Sequence, residues 1–278
     1  MIDFLVDNVL LLPYLFATYL VLETIEAKAG GALESWLGRA RSVGPAAGAL
    51  AGAIPQCGVS AAAASFYAGG VISVGTLLAV FLSTSDELIP VLVSSTAPAG
   101  LLVRIVAIKA VCALGVGFTV NGLLTLFRHF RREVSVSELC EHSHCSCAER
   151  KGIVVPALIH TVEIFVFILV VSGLVELAMH FGGEDCLGRL QLNRPFVGEA
   201  VAGLVGLVPN CAVSVAAAKL YLAGAMSPGA LMASSFAGSG LGLLVLFRTN
   251  RNLKENLCIL ASVYVIGVLL GYVTGFLL

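Results

Sequence analysis

Charge is what this sequence most lacks. Only 12% of its 278 residues are Asp, Glu, Lys or Arg, about half the share in an ordinary soluble domain. The formal net charge is −1, and no basic stretch is long enough to track a phosphate backbone, which excludes a nucleic-acid binder. No G-x-x-x-x-G-K-[ST] loop occurs, so the chain carries no ATP motor of that kind. Residues 1–8 hold Asp3 and Asp7 but neither Lys nor Arg. A cleaved signal peptide has a basic front, so the first apolar stretch reads as a retained helix. Apolar surface fills the place of the missing charge: hydrophobic residues make up 58% of the chain and the mean hydropathy is +0.99. A soluble fold of this size has too little interior to bury that much. The composition predicts an all-α, multi-pass protein of the cell (inner or plasma) membrane.

The few basic residues cluster. Lys28, Arg39 and Arg41 form one group, Arg128, Arg131, Arg132, Arg150 and Lys151 a second, and Arg248, Arg251 and Lys254 a third. Between them run apolar stretches over 4–23, 43–96 and 99–126, then 153–181, 197–247 and 256–278. Several approach the ~20 residues a spanning helix needs. Short basic loops stay cytoplasmic. Placing all three clusters inside leaves loop 182–196 outside, with Arg189 and Arg194 beside Glu184 and Asp185. Both termini are then extracytoplasmic.

Shifted by 154 residues, the chain matches itself. Residues 52–79 lie over 206–233 with 14 of 28 positions identical, among them Pro55/Pro209, Cys57/Cys211, Ser60/Ser214 and Tyr67/Tyr221. Bias toward Ala and Gly does not bring Pro and Cys into step, so the pattern reads as a duplication. Each copy has an apolar helix, two short segments flanking a Pro-x-Cys break, and two further apolar segments. The short segments, 43–54 with 58–70 and 197–208 with 212–224, are too short to span alone. Whether they re-enter or cross as broken helices, each half makes an odd number of crossings. The halves are therefore expected to be inverted, as in many secondary transporters. The expected organisation is a first membrane repeat over 1–126, a polar linker over 127–152 and a second, inverted repeat over 153–278.

Pro55 and Pro209 each remove a backbone donor and end a helix. Within a bilayer, such irregular backbone persists only where it is buried in protein or lines a wet cavity. Gln56-Cys57 and Asn210-Cys211 follow at once, with Ser60 and Ser214 one turn on. A two-fold relation between the halves would bring thiols, amide oxygens and hydroxyls together as a substrate site. Sulfur ligands suit Zn(II), Cd(II), Cu(I) or trivalent arsenic better than Mn(II). The plainer alternative is a kink with a small buried cysteine.

Ionisable groups at membrane depth are costly and point to function. Asp86 and Glu87 follow Ser83-Thr84 in mid-segment, where the second copy has Ala237-Gly238-Ser239-Gly240. They read as metal ligands or proton carriers, or else as a turn at the interface. Glu23 and Glu26 lie one turn apart and mark an entry site or a solvated helix end. His160 and Glu163 share a helical face and could bind an ion or relay protons. Arg104, Lys109, Glu199 and Lys219 are expected to snorkel or to pair with the acids. Lys219 facing the path would favour an anionic or neutral substrate.

The linker offers Cys140, His142, His144, Cys145 and Cys147 within eight residues. Such tracts read as metal binding, here on the reducing side, where disulfides are disfavoured. The spacing fits no structural zinc module, so a labile delivery or sensing site is expected.

The stretch Ile54 to Ser95, IPQCGVSAAAASFYAGGVISVGTLLAVFLSTSDELIPVLVSS, and its echo VPNCAVSVAAAKLY at Val208 to Tyr221 resemble the ten-helix heavy-metal exporter family. Its members are often labelled arsenic efflux proteins or manganese transporters. The resemblance implies a ten-segment permease that exports a metal or metalloid. It carries the family pattern onto Pro55, Gln56, Cys57, Ser83, Thr84, Asp86 and Glu87, and onto Pro209, Asn210 and Cys211.

Residues and resemblance together predict a non-enzymatic exporter of a Zn, Mn, Cd or As(III) class substrate. Cys57, Cys211, Asp86 and Glu87 would be metal ligands, with no permanently bound cofactor. The partners would be substrate and bilayer, with room for a homodimer. One alternative is a permease for an anionic or sulfur-containing solute. The other is a membrane metal or redox sensor acting through the linker.

Overall fold

A computed structural model describes residues 13, 16, 17, 20, 43–53, 57–84, 88, 89, 92, 98–127, 158, 159, 161, 162, 165, 166, 170, 195–209 and 211–278. Among them all regular structure is helical. We number the continuous helices α1 (Val43–Gly52), α2 (Cys57–Ala68), α3 (Val74–Ser83), α4 (Ala99–Phe127), α5 (Val197–Gly206), α6 (Cys211–Leu222), α7 (Pro228–Ala237), α8 (Gly242–Thr249) and α9 (Leu253–Thr274).

Matching local chemistry starts and stops corresponding helices. Ser73 caps α3 by accepting from the Thr76 N–H at 3.2 Å, and Ser227 caps α7 by accepting from the Ala230 N–H at 3.1 Å. Such a cap satisfies one of the donors left over at a helix start. Helices α2 and α6 end alike. The Val71 N–H donates to Phe66 O and the Ala225 N–H to Leu220 O, both at 2.9 Å. Gly70 and Gly224 take φ of 71° and 72° at these ends, a left-handed conformation that costs a side-chain-bearing residue energy.

Helices α3 and α7 form the centre. Every residue of α3 from Gly75 to Ser83 is buried. Within Pro228–Thr249, 72% of an apolar 18-residue window is buried, against 22% within Ala99–Leu126 and 33% within Leu253–Thr274. These three segments are long and apolar enough to cross a membrane. The exposed apolar residues of α4, such as Val103, Val111, Phe118 and Leu126, occupy the face a membrane helix turns to lipid.

Glycine permits the close approaches. A Cβ at Gly117 of α4 would stand 2.9 Å from the Ala79 Cβ of α3, and one at Gly271 of α9 would stand 2.5 Å from Ala233 of α7. A Cβ at Gly52 of α1 would press on Val80 and Ser83 of α3, and one at Gly206 of α5 on Ser234 of α7. The halves also interlock. Helix α2 packs on α8, and a Cβ at Gly242 would lie 2.8 Å from the Ser60 backbone oxygen. Two cores result: one joins α2 and α3 to α8 and α9, and the other joins Leu88, Leu92 and α4 to α5, α6 and α7.

Candidate functional site

Helices α3 and α7 both end deep in the protein. At the end of α3, Ser83 Oγ and Thr84 Oγ1 donate back to Val80 O at 3.1 and 2.7 Å. Thr84 turns to ψ 129°, so its carbonyl leaves the helical ladder. At the end of α7, the Gly238 N–H donates to Ser234 O at 2.8 Å and the Ser239 N–H to Ala237 O at 2.9 Å. The chain then passes Gly240 at φ 54° and starts again as α8. The segment 228–249 is therefore a broken helix, with its interruption at Gly238-Ser239-Gly240. This interruption is not one of the two expected at Pro-x-Cys. The paired glycines were the signal for this one, because both can adopt backbone angles that end a helix.

Lys109 of α4 lies between these two ends. Its side chain is 1% exposed. Nζ donates to Thr84 O at 2.5 Å, to Ser235 O at 2.7 Å and to Ser235 Oγ at 2.6 Å, and it lies 5.6 Å from the centre of the Phe236 ring. The last carbonyls of a helix lack intrahelical donors and carry the negative end of its dipole. Lys109 supplies donors and positive charge to both ends at once, so it does not snorkel. Lys219, which would favour an anionic or neutral substrate if it faced the path, is exposed on α6.

Glu199 complements the opposite end of α7. It is 5% exposed, and its Oε1 occupies the space that a Cβ at Gly229 would need in the first turn of α7, where a carboxylate meets the positive end of the dipole. Its Oε2 has no hydrogen-bond partner among the described residues, and neither has the buried Ser239 Oγ in the break. A small apolar cavity lies between α5, α6 and α7, lined by Ala202, Val205, Val213, Ala217, Leu220 and Met226, with Ser234 as its hydroxyl.

The predicted ligands are only partly described. Cys57 and Cys211 are the first described residues of α2 and α6, and the proposed break at Pro55-Gln56 lies outside the described residues. Ser60 is fully buried where α2 meets α8. Ser214 is half-buried on α6. The side chains of Cys57 and Cys211 lie outside the described set, as do Gln56, Asn210, Asp86, Glu87, Glu23, Glu26, His160 and Glu163. The linker residues Cys140, His142, His144, Cys145 and Cys147 do so too. Among the described residues no three His, Cys, Asp or Glu side chains gather in a metal-holding group.

A second polar cluster, which no sequence motif announces, joins the two halves. At the start of α9, Asn250 Nδ2 donates to Asn256 Oδ1 and Asn256 Nδ2 donates to Asn250 O, both at 2.7 Å. Asn252 Nδ2 donates to Glu255 Oε2 at 3.2 Å. Tyr67 at the end of α2 donates its hydroxyl to Glu255 Oε1, tying the first half of the chain to the second.

The family model described as "Putative, 10TM heavy-metal exporter" matches residues 9–186. The match takes in Pro55-Gln56-Cys57, the stretch from Ser83 to Glu87, Lys109 and the Cys/His linker. None of the curated proteins and none of the solved structures compared with the chain matches it. With more than half of its length matched and its apolar helices long enough to span a bilayer, this chain belongs to the ten-segment heavy-metal exporter family.

Proposed function

We propose that the chain is a secondary transporter exporting a soft or transition metal ion, or a metalloid, along a path between the two Pro-x-Cys breaks. In this reading the halves are inverted repeats. Cys57 and Cys211 hold the substrate, with oxygen from Gln56, Asn210, Ser60 and Ser214. Asp86 and Glu87 complete the shell or carry protons, with Ser83 and Thr84 beside them, and the linker gathers metal in the cytoplasm. Broken helices meeting at a buried point are how such transporters build their sites. The observation that carries the reading is the meeting of the ends of α3 and α7, one from each half, on Lys109. Paired contacts at the 154-residue shift support the repeat: Gly52 on Val80 with Gly206 on Ser234, and Gly117 on Ala79 with Gly271 on Ala233.

Flux of Zn(II), Cd(II), Mn(II) and arsenite into proteoliposomes tests the reading. The double variant Cys57→Ser/Cys211→Ser is expected to lose at least one of these fluxes. Unchanged flux of all four would remove the thiols from the path.

One observation favours a second reading, in which the substrate is anionic or neutral. The buried Lys109 stands where the ends of α3 and α7 meet, and its N–H groups are donors suited to the oxygens of an anionic or neutral solute. Competition of flux by an oxyanion, without dependence on any metal, would favour it.

A further inference from the structure

The surroundings of Lys109 have the composition of a cation site. Two carbonyl oxygens and one hydroxyl converge on Nζ within 2.5–2.7 Å, and none of the three is charged. Ser235 O has no helical donor, because the Ser239 N–H that would reach it donates to Ala237 O instead. Thr84 O points away from α3 for the reason given above. Each helix end is equivalent to about half a negative charge. Both ends therefore attract a cation, and the aromatic face of Phe236, its centre 5.6 Å from Nζ, adds to that attraction. At position 263, the equivalent of 109 in the second copy, the residue is Val, fully buried. Among these two equivalent positions the charge comes from the first copy alone.

The geometry points to a built-in monovalent cation site at Thr84 O, Ser235 O and Ser235 Oγ, in which the Lys109 ammonium is the tethered occupant. Lys109 holds α3 and α7 together across the two halves by filling this site. It is a positioning residue: any conformation in which those helix ends separate requires the ammonium to leave. Vacated by mutation, the site takes a small free cation with hydrogen-bond donors. The inference does not depend on the exported substrate, and its readout is binding and stability, so it stands or falls separately from the export reading.

The test uses the full chain, purified with Lys109→Ala and titrated with ammonium, methylammonium or choline chloride at matched ionic strength while thermal unfolding is followed. The variant is expected to melt roughly 5–10 °C below the parent, since unpaired buried carbonyls and a lost ion contact are both costly. Ammonium and methylammonium should restore several degrees with saturation. Choline, too large and without N–H donors, should restore none, and the parent should respond to none of the three. If ammonium and choline act alike on the variant, the site does not exist. Should Lys109→Ala be recovered only in traces, folded yield with ammonium or choline present throughout extraction becomes the readout, with the same expected order. Lys109→Gln keeps a donor and removes the charge. It should also melt low and respond to ammonium, and parent-like melting without a response would show that charge plays no part.

Discussion

Gly115 and Gly117 lie two residues apart on α4, yet the tertiary structure gives them opposite roles. A Cβ at Gly115 meets nothing within 4 Å, whereas one at Gly117 would stand 2.8 Å from the Pro45 Cβ and 2.9 Å from both the Ala79 Cβ and the Gly75 backbone oxygen. Ordinary carbon contacts need about 3.5–4.0 Å, so α4 would have to retreat from α3 by the better part of an ångström. Alanine raises helix propensity by up to about 1 kcal/mol at either position, and that gain cancels in the comparison. What is left is overpacking at Gly117, about 1–3 kcal/mol. At about 2–4 °C per kcal/mol for a chain of this class, Gly117→Ala should melt several degrees below Gly115→Ala. Gly271→Ala should resemble Gly117→Ala, because its Cβ would reach the Ala233 backbone at 2.5 Å. The assay is thermal unfolding of the purified single variants in one detergent. Equal melting of Gly115→Ala and Gly117→Ala would refute the α3–α4 contact and the account of glycine given above.

Three further outcomes follow from other parts of the molecule. Asn256→Ala removes both side-chain bonds to Asn250, so thermal or denaturant unfolding should register a loss of about 1–3 kcal/mol. Gly70→Ala and Gly224→Ala force a side chain into φ of 71° and 72°, so each should lower stability by about 1–2 kcal/mol. Nothing stands within 4 Å of a Cβ at Gly224, so loss there would be conformational strain alone. Deleting residues 135–150, which contain the Cys/His tract, should lower bound metal in elemental analysis of the purified chain. Equal metal content with and without the tract would exclude it as a metal site.

The sequence determined the solvent, the helical class and the repeat. Apolar content this high admits only a bilayer, and a bilayer admits helices because each satisfies its own backbone. Ser73 and Ser227 accept from the backbone N–H three residues on and so mark the starts of α3 and α7. These are local causes, acting within a turn or two of chain. Only the tertiary structure decided which polar groups meet. Lys109 and Lys219 look equally misplaced in apolar sequence, yet one is buried on two helix ends and the other is exposed. The difference lies in a contact between residues 126 apart, set by how α4 crosses α3 and α7. No periodicity carries that information, because a 3.6-residue repeat gives the face of a helix but not what that face will find.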